Sequence, residues 1–335
     1  MSNSLPIHYT RNRPPAVIIS TLTILQSFLT EITPGTTLYI DLEGANLSRH
    51  GTITLLTAHL QPQNTTYLID VQSLGHATFT TPTRTPKTIT KATRLWSQLH
   101  IPPTTTPKTT QTPQRWHPIP PSQRPPPTAP LSQRQRQRTL QTILQDPTIE
   151  KCLWDARADA DALYWLHGVR LAGVYDLQLL EFFTRPAWGR GKHVKGLAKC
   201  VEGDLLRGAG AAGGGNGVWR YHGMTTREVQ AVREAEREAE EWLAVKRTVK
   251  AGLGKGGGAG DAFAKRPLRK KTVRYCVGDV VLLPRLRALY RRRAAADIGM
   301  DGLVLMESWL RVEEAITKVQ CDRKDMALGP MKIHY

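Results

Sequence analysis

A chain of 335 residues with 46 Lys or Arg against 28 Asp or Glu carries a formal net charge of +18, which favours a polyanionic partner, nucleic acid before membrane. A hydrophobic share of 40% excludes a wholly disordered protein, although 23 Pro and 27 Gly demand long irregular stretches. Four widely spaced cysteines without a Cys-x-x-Cys pair argue against a disulfide framework and a cysteine zinc site, and imply reduced thiols in an intracellular protein.

Residues 1–13 read as a polar tail, and 14–82 as the first half of a domain. The apolar run Val17 to Leu29 contains Ser20, Thr21, Thr23, Gln26 and Ser27. It is too short and too polar to span a bilayer, and no small-residue cleavage site follows, so it predicts a strand and a helix of a protein neither secreted nor membrane-bound. Leu38 to Leu42 suits a buried strand that ends in Asp41-Leu42-Glu43-Gly44. Residues i and i+2 of a strand share a face, so Asp41 and Glu43 point together. Two neighbouring carboxylates repel, and one is driven towards protonation unless a cation sits between them. Gly51 to Leu60 and Thr66 to Val71 are β-rich, with a turn at Pro62-Gln63-Asn64, which predicts an antiparallel meander carrying the two acids on its first member.

From Thr80 to Arg138 the composition turns to Pro, Thr, Gln and Arg, with room for one short helix over 88–99. Between Val71 and Gln145 there are ten Lys or Arg and no acid. Such a segment cannot bury enough apolar area to offset its ordering entropy, so 83–138 is expected to be a disordered insertion. It acts as a solvated linker or as an arm that touches phosphates without sequence preference.

A second half follows over 139–312: a short helix from Thr139, a strand at Lys151–Trp154, a helix from Ala158 to Leu166, and a strand opening at Gly173. Strand–helix–strand after a meander predicts a mixed sheet with helices on it. Gly208-Ala-Gly-Ala-Ala-Gly213 matches GxGxxG, but no βαβ unit surrounds it. Glycine tracts at 207–217 and 251–260 are therefore read as loops. Between them Thr225-Thr-Arg-Glu228 opens a long charged helix reaching about Lys250, with Val229, Val232, Trp242 and Val245 as its contacts. Residues 265–293 hold eleven basic residues and one acid, Asp279, which lies a helical turn after Tyr275. Residues 313–335 read as a C-terminal tail.

In order along the chain stand Tyr39-Ile-Asp-Leu-Glu-Gly44 with Leu47-Ser-Arg-His-Gly-Thr-Ile53, Asp155-Ala-Arg-Ala-Asp-Ala-Asp161, Gly196-Leu-Ala-Lys-Cys200, Arg266-Pro-Leu268 and Tyr275-Cys-Val-Gly-Asp279. This series resembles the DEDD-superfamily 3′-5′ exonucleases of the tyrosine-containing branch, with ribonuclease D and the Werner exonuclease domain. The nearest likeness is to fungal 3′-5′ exonuclease domain-containing proteins. The resemblance implies an α/β fold, a ribonuclease H-like mixed five-stranded sheet flanked by helices. It also implies hydrolysis of RNA or DNA from the 3′ end to nucleoside 5′-monophosphates, with two divalent cations, Mg²⁺ or Mn²⁺, as cofactors. Carried over, Asp41 bridges the metals, Glu43 and Asp279 serve the nucleophile-side ion, and Asp159 serves the other. Asp155 and Asp161 remain alternatives to Asp159. Tyr275, a phenol, is suited to orienting water. Lys265, Arg266 and Lys270 are candidate phosphate contacts. The competing expectation is a catalytically silent nucleic-acid-binding adaptor that keeps the fold.

Overall fold

The computed structural model describes residues 16–83, 138–185, 191–206, 225–252, 260–294 and 297–318. The expected tails before residue 14 and after 318, the helix over 88–99, nearly all of the 83–138 insertion and both glycine tracts in the main lie outside these residues. Among the described residues the sheet has strands β1 (Ala16–Ile19), β2 (Thr37–Glu43), β3 (Leu55–Gln61), β4 (Thr65–Ile69), β5 (Lys151–Leu153) and β6 (Val174–Asp176), in the order β1-β4-β3-β2-β5-β6. The predicted meander is present: β2 pairs antiparallel with β3, and β3 with β4. β5 joins β2 in parallel and β6 joins β5 in parallel. The sheet has six strands rather than five. The sixth is β1, whose Ala16–Ile19 backbone pairs in parallel with Thr66–Ile69 at the outer side of β4.

Helices cover both faces. Thr21 caps α1 (Leu22–Glu31) by accepting from the Ile24 N–H, and Leu25, Phe28 and Leu29 recur at the spacing that buries one stripe. α2 (Arg157–His167) follows β5, and α3 (Leu177–Phe183) follows β6. α4 (Leu197–Cys200) is a single turn, and α5 (Thr226–Gly252) is the long charged helix. α6 (Lys270–Val281), α7 (Leu283–Arg293) and α8 (Met300–Thr317) complete the layers. The chain ends α6 at Val281 and restarts with Pro284 in the first turn of α7, where its missing N–H costs nothing.

The core follows from the alternation in β2. Leu38, Ile40 and Leu42 point to one side, where they meet Phe28 and Leu29 of α1, Leu163 of α2, and Val312 and Ala315 of α8. Tyr39 points to the other side with Tyr175, Trp242 of α5 and Leu286 of α7. Helix α8 runs to Thr317, five residues into the segment expected to be tail, because buried Val312, Ala315 and Ile316 prolong its apolar stripe. Asp176 ties α8 to the sheet: its carboxylate accepts from Arg311 and from the Asp155 and Ala156 N–H groups. Cys152, Cys200 and Cys276 are buried and unpaired, and among the described residues no helix is long and apolar enough to cross a membrane.

Candidate active site

Asp41 and Glu43 stand at the C-terminal end of β2, on the face opposite Leu42. Glu43 is held by its own backbone, since the Thr54 N–H and hydroxyl both donate to its carbonyl at 2.8 Å. Gly44 then lets the chain fold back on itself, for a Cβ there would lie 1.7 Å from the Thr52 carbonyl oxygen.

The three aspartates of the second motif separate into three tasks. Asp155 has φ of +67°, and its carboxylate holds Arg157 through bonds of 2.6 and 2.8 Å. Asp161 accepts from the Arg49 N–H at 2.7 Å and from its guanidinium at 2.8 Å, while Arg49 also donates to the Ala315 carbonyl. Asp159, in the first turn of α2, is buried and accepts the Leu42 N–H at 3.1 Å, next to Asp41. Of the three, it is the one whose carboxylate bonds to the backbone between Asp41 and Glu43.

Helix α6 supplies Tyr275 and Asp279 on one face, as their spacing predicts. Each of Asp41, Glu43 and Asp279 offers an oxygen within 4.8 Å of the others. An open cleft of about 460 Å³ exposes these three with Tyr275, Trp154 and the Gly196–Lys199 turn. Helix α5 approaches from the side. Trp242 lies against Gly278, where a Cβ would come within 1.9 Å of the indole, so the glycine before Asp279 is what admits the tryptophan. One turn further on, Lys246 reaches into the cleft and donates to Asp279. Its ammonium lies 4.6 Å from the Trp242 ring centre and 4.8 Å from that of Tyr275.

The electrostatics follow from crowding acids in a half-buried site. Burial and then the Asp279 charge push Asp41 up to about 7, against the opposing pull of Lys246. Burial, Asp41 and Asp279 hold Glu43 well above the carboxylate range. Asp159 is raised by burial, then by Asp41 and Asp155. For Lys246 burial works to lower the pKa, but Asp279, Asp41 and Glu43 outweigh it and keep the ammonium charged. Burial and Asp279 raise Tyr275, so its phenol stays protonated and acts through hydrogen bonds. Convergent hard oxygen donors that resist ionising together are what a divalent cation such as Mg²⁺ or Mn²⁺ relieves, and the donor set fits one.

The structure brings Asp41, Glu43, Tyr275 and Asp279 to one cleft; Asp159 lies next to Asp41, bonded to the Leu42 amide, and is not among the residues that line it. The structure does not bring Lys265, Arg266 or Lys270 to the cleft wall. Arg266 is engaged elsewhere: it grips Asp70 through two bonds of 2.6 Å and donates to the Phe263 carbonyl, which removes it as a free phosphate contact. Lys265 and Lys270 are exposed. Sequence reasoning passed over Lys246 and Trp154 as site residues. The i, i+4 spacing of Trp242 and Lys246 marks one helix face, but nothing local ties that face to Asp279.

No protein-family model matches the chain, and no curated protein sequence does either. Among solved structures, RNase D of Trypanosoma brucei matches with a TM-score of 0.50 at 16% identity, over 95% of this chain and 79% of that one. Its GMP complex gives 0.49 at 16% identity, over 95% and 74% of the two chains. Escherichia coli RNase D gives 0.43 at 17% identity, over 90% and 51%. These comparisons do not support the particular likeness to fungal proteins. What the first of these shares with the present chain is architecture: a ribonuclease H-like fold, its mixed central sheet flanked by helices, as in RNase D.

Proposed function

We propose that the protein is a metal-dependent 3′-5′ exonuclease that hydrolyses phosphodiester bonds of RNA or DNA and releases nucleoside 5′-monophosphates. The observation that carries this reading is the convergence of Asp41, Glu43 and Asp279 from a strand and a distant helix onto one open cleft. Asp41, Glu43 and Asp279 would hold one divalent ion, and Asp41 with Asp159 the other. Bound there, the ions supply Lewis acidity that makes a nucleophile from water and stabilises the leaving oxygen. The Tyr275 hydroxyl, kept protonated, orients the attacking water by hydrogen bond. Lys199, among the residues lining the cleft, offers a cation to the phosphate backbone. The net charge of +18 gathers polyanionic substrate from solution.

A second reading, a catalytically silent nucleic-acid-binding protein, is favoured by one observation: a lysine already sits on Asp279. End-labelled RNA and DNA oligomers, with Mg²⁺ or Mn²⁺, separate the two. Stepwise shortening from the 3′ end, abolished by EDTA and restored by Mn²⁺, is expected. Binding without shortening under any divalent ion would establish the silent reading, and degradation that survives chelation would remove the metal.

A further inference from the structure

The ammonium of Lys246 contacts Asp279, and its charge also acts on Asp41 and Glu43. Its side chain is 13% exposed, so the cation is withdrawn from solvent into the acid cluster rather than waving above it. The placement is built by packing. Trp242, 3% exposed, is seated on Gly278 and presents its ring to the lysine from one side. Tyr275 presents its ring from another. Three features on two helices therefore converge on one small volume beside Asp279: an indole, a phenol and a carboxylate.

We propose that Lys246 is a built-in cation that takes the place of one of the two divalent ions in the Asp41–Glu43–Asp279 cluster. The inference rests on the exonuclease reading and replaces its divalent ion at Asp41, Glu43 and Asp279 by this ammonium, leaving one ion. An ammonium and a divalent ion compete for the same carboxylate oxygens, and a lysine tethered between two rings loses less freedom on binding than an ion arriving from solution. With Lys246 in position, Asp279 and Glu43 are partly neutralised by the protein itself. The position left for a metal lies towards Asp41 and Asp159, which accepts the Leu42 N–H next to Asp41 and is not contacted by Lys246. An ammonium can screen the charge that builds on a phosphoryl oxygen, but it cannot make hydroxide from water. Lys246 is thus assigned the electrostatic part of one ion's task, and the acid–base part, lowering the pKa of the attacking water, would fall to the remaining ion held by Asp41 and Asp159.

The test is the stoichiometry of Mn²⁺ bound by the full-length protein, by calorimetry and by the loss of the free-ion electron paramagnetic resonance signal. Wild type should bind one ion. Lys246→Gln should bind two, the second at least about tenfold tighter than any further binding by wild type. Lys246→Arg should return to one, which a merely structural role for the side chain would not require. The wild-type count stands even if a variant fails to fold: two ions of similar affinity in wild type overturn the proposal. One ion in both wild type and Lys246→Gln also overturns it, since the lysine then excludes nothing. Two ions in an active wild type would leave the exonuclease reading intact while removing this one. No Mn²⁺ bound by any of the three proteins would remove both.

Discussion

Asp41 and Tyr275 face the same cleft, yet removing each should leave a different trace. The Asp41 carboxyl is raised to about 7 from an ordinary 3.8 by burial and Asp279. A carboxyl raised on folding contributes nothing adverse below its unfolded pKa; its cost grows as pH climbs from about 4 and is complete above about 7. Three units correspond to at most about 4 kcal/mol. Under chelation at pH 8, Asp41→Asn should therefore melt above wild type, and the gap should close as pH falls towards 4. The same change should abolish the upward shift in melting temperature that Mn²⁺ gives wild type. A variant that melts lower at pH 8 would mean that the Asp41 carboxylate is net stabilising where it sits and that its pKa is not raised on folding. Tyr275→Phe keeps the ring against Phe263 and Lys246 but deletes the hydroxyl. Losing one transition-state hydrogen bond should cost about 10²–10³ in single-turnover rate with Mn²⁺ binding unchanged. An untouched rate would make Tyr275 a packing residue.

Among the elements, legibility tracked whether the signal was local. The β2 alternation, the Tyr275–Asp279 spacing and the short helix that Thr139 caps depend on neighbours in sequence, and each emerged at its place. Which of Asp155, Asp159 and Asp161 lies beside Asp41 depends on partners far along the chain: Arg49 holds Asp161, and the Leu42 amide holds Asp159. Arg266 looked like a phosphate ligand because Asp70, its actual partner, lies 196 residues earlier. Lys246 was invisible for the same reason. Its position depends on α5 docking against α6, and that docking turns on Gly278. Gly278→Val should force the Trp242 ring away and destabilise the protein by about 1–3 kcal/mol, as overpacked sites do. Amide exchange should accelerate along α5 more than along β2, β3 and β4. Wild-type stability in this variant would show that the indole turns aside without cost.

On the scale of the whole molecule, one backbone bond organises the chain into two parts. The Thr83 N–H donates to the Arg138 carbonyl at 2.8 Å, so the two ends of the 54-residue segment between them are held at one point. Replacing 84–137 by a short Gly-Ser linker should leave the melting temperature within about 1 °C, because the closure already exists in the core. The deletion removes nine Lys or Arg, so binding to a DNA or RNA oligomer should weaken at low salt and the slope of log affinity against log salt should become shallower. A large fall in melting temperature would show instead that these residues cover the core.

The same closure marks a place at which the chain could be divided. Cut between residues 83 and 138, the chain yields one fragment with β1 to β4 and another with β5, β6 and helices α2 to α8. Asp41 and Glu43 go with the first; Asp159, Lys246, Tyr275 and Asp279 go with the second. Neither fragment alone holds the ionic centre, and the β2–β5 ladder is the seam along which they would re-form it. Co-expressed halves fused to two interacting proteins would thus regain metal binding only when brought together, a complementation reporter whose signal is the reunion of the acids themselves.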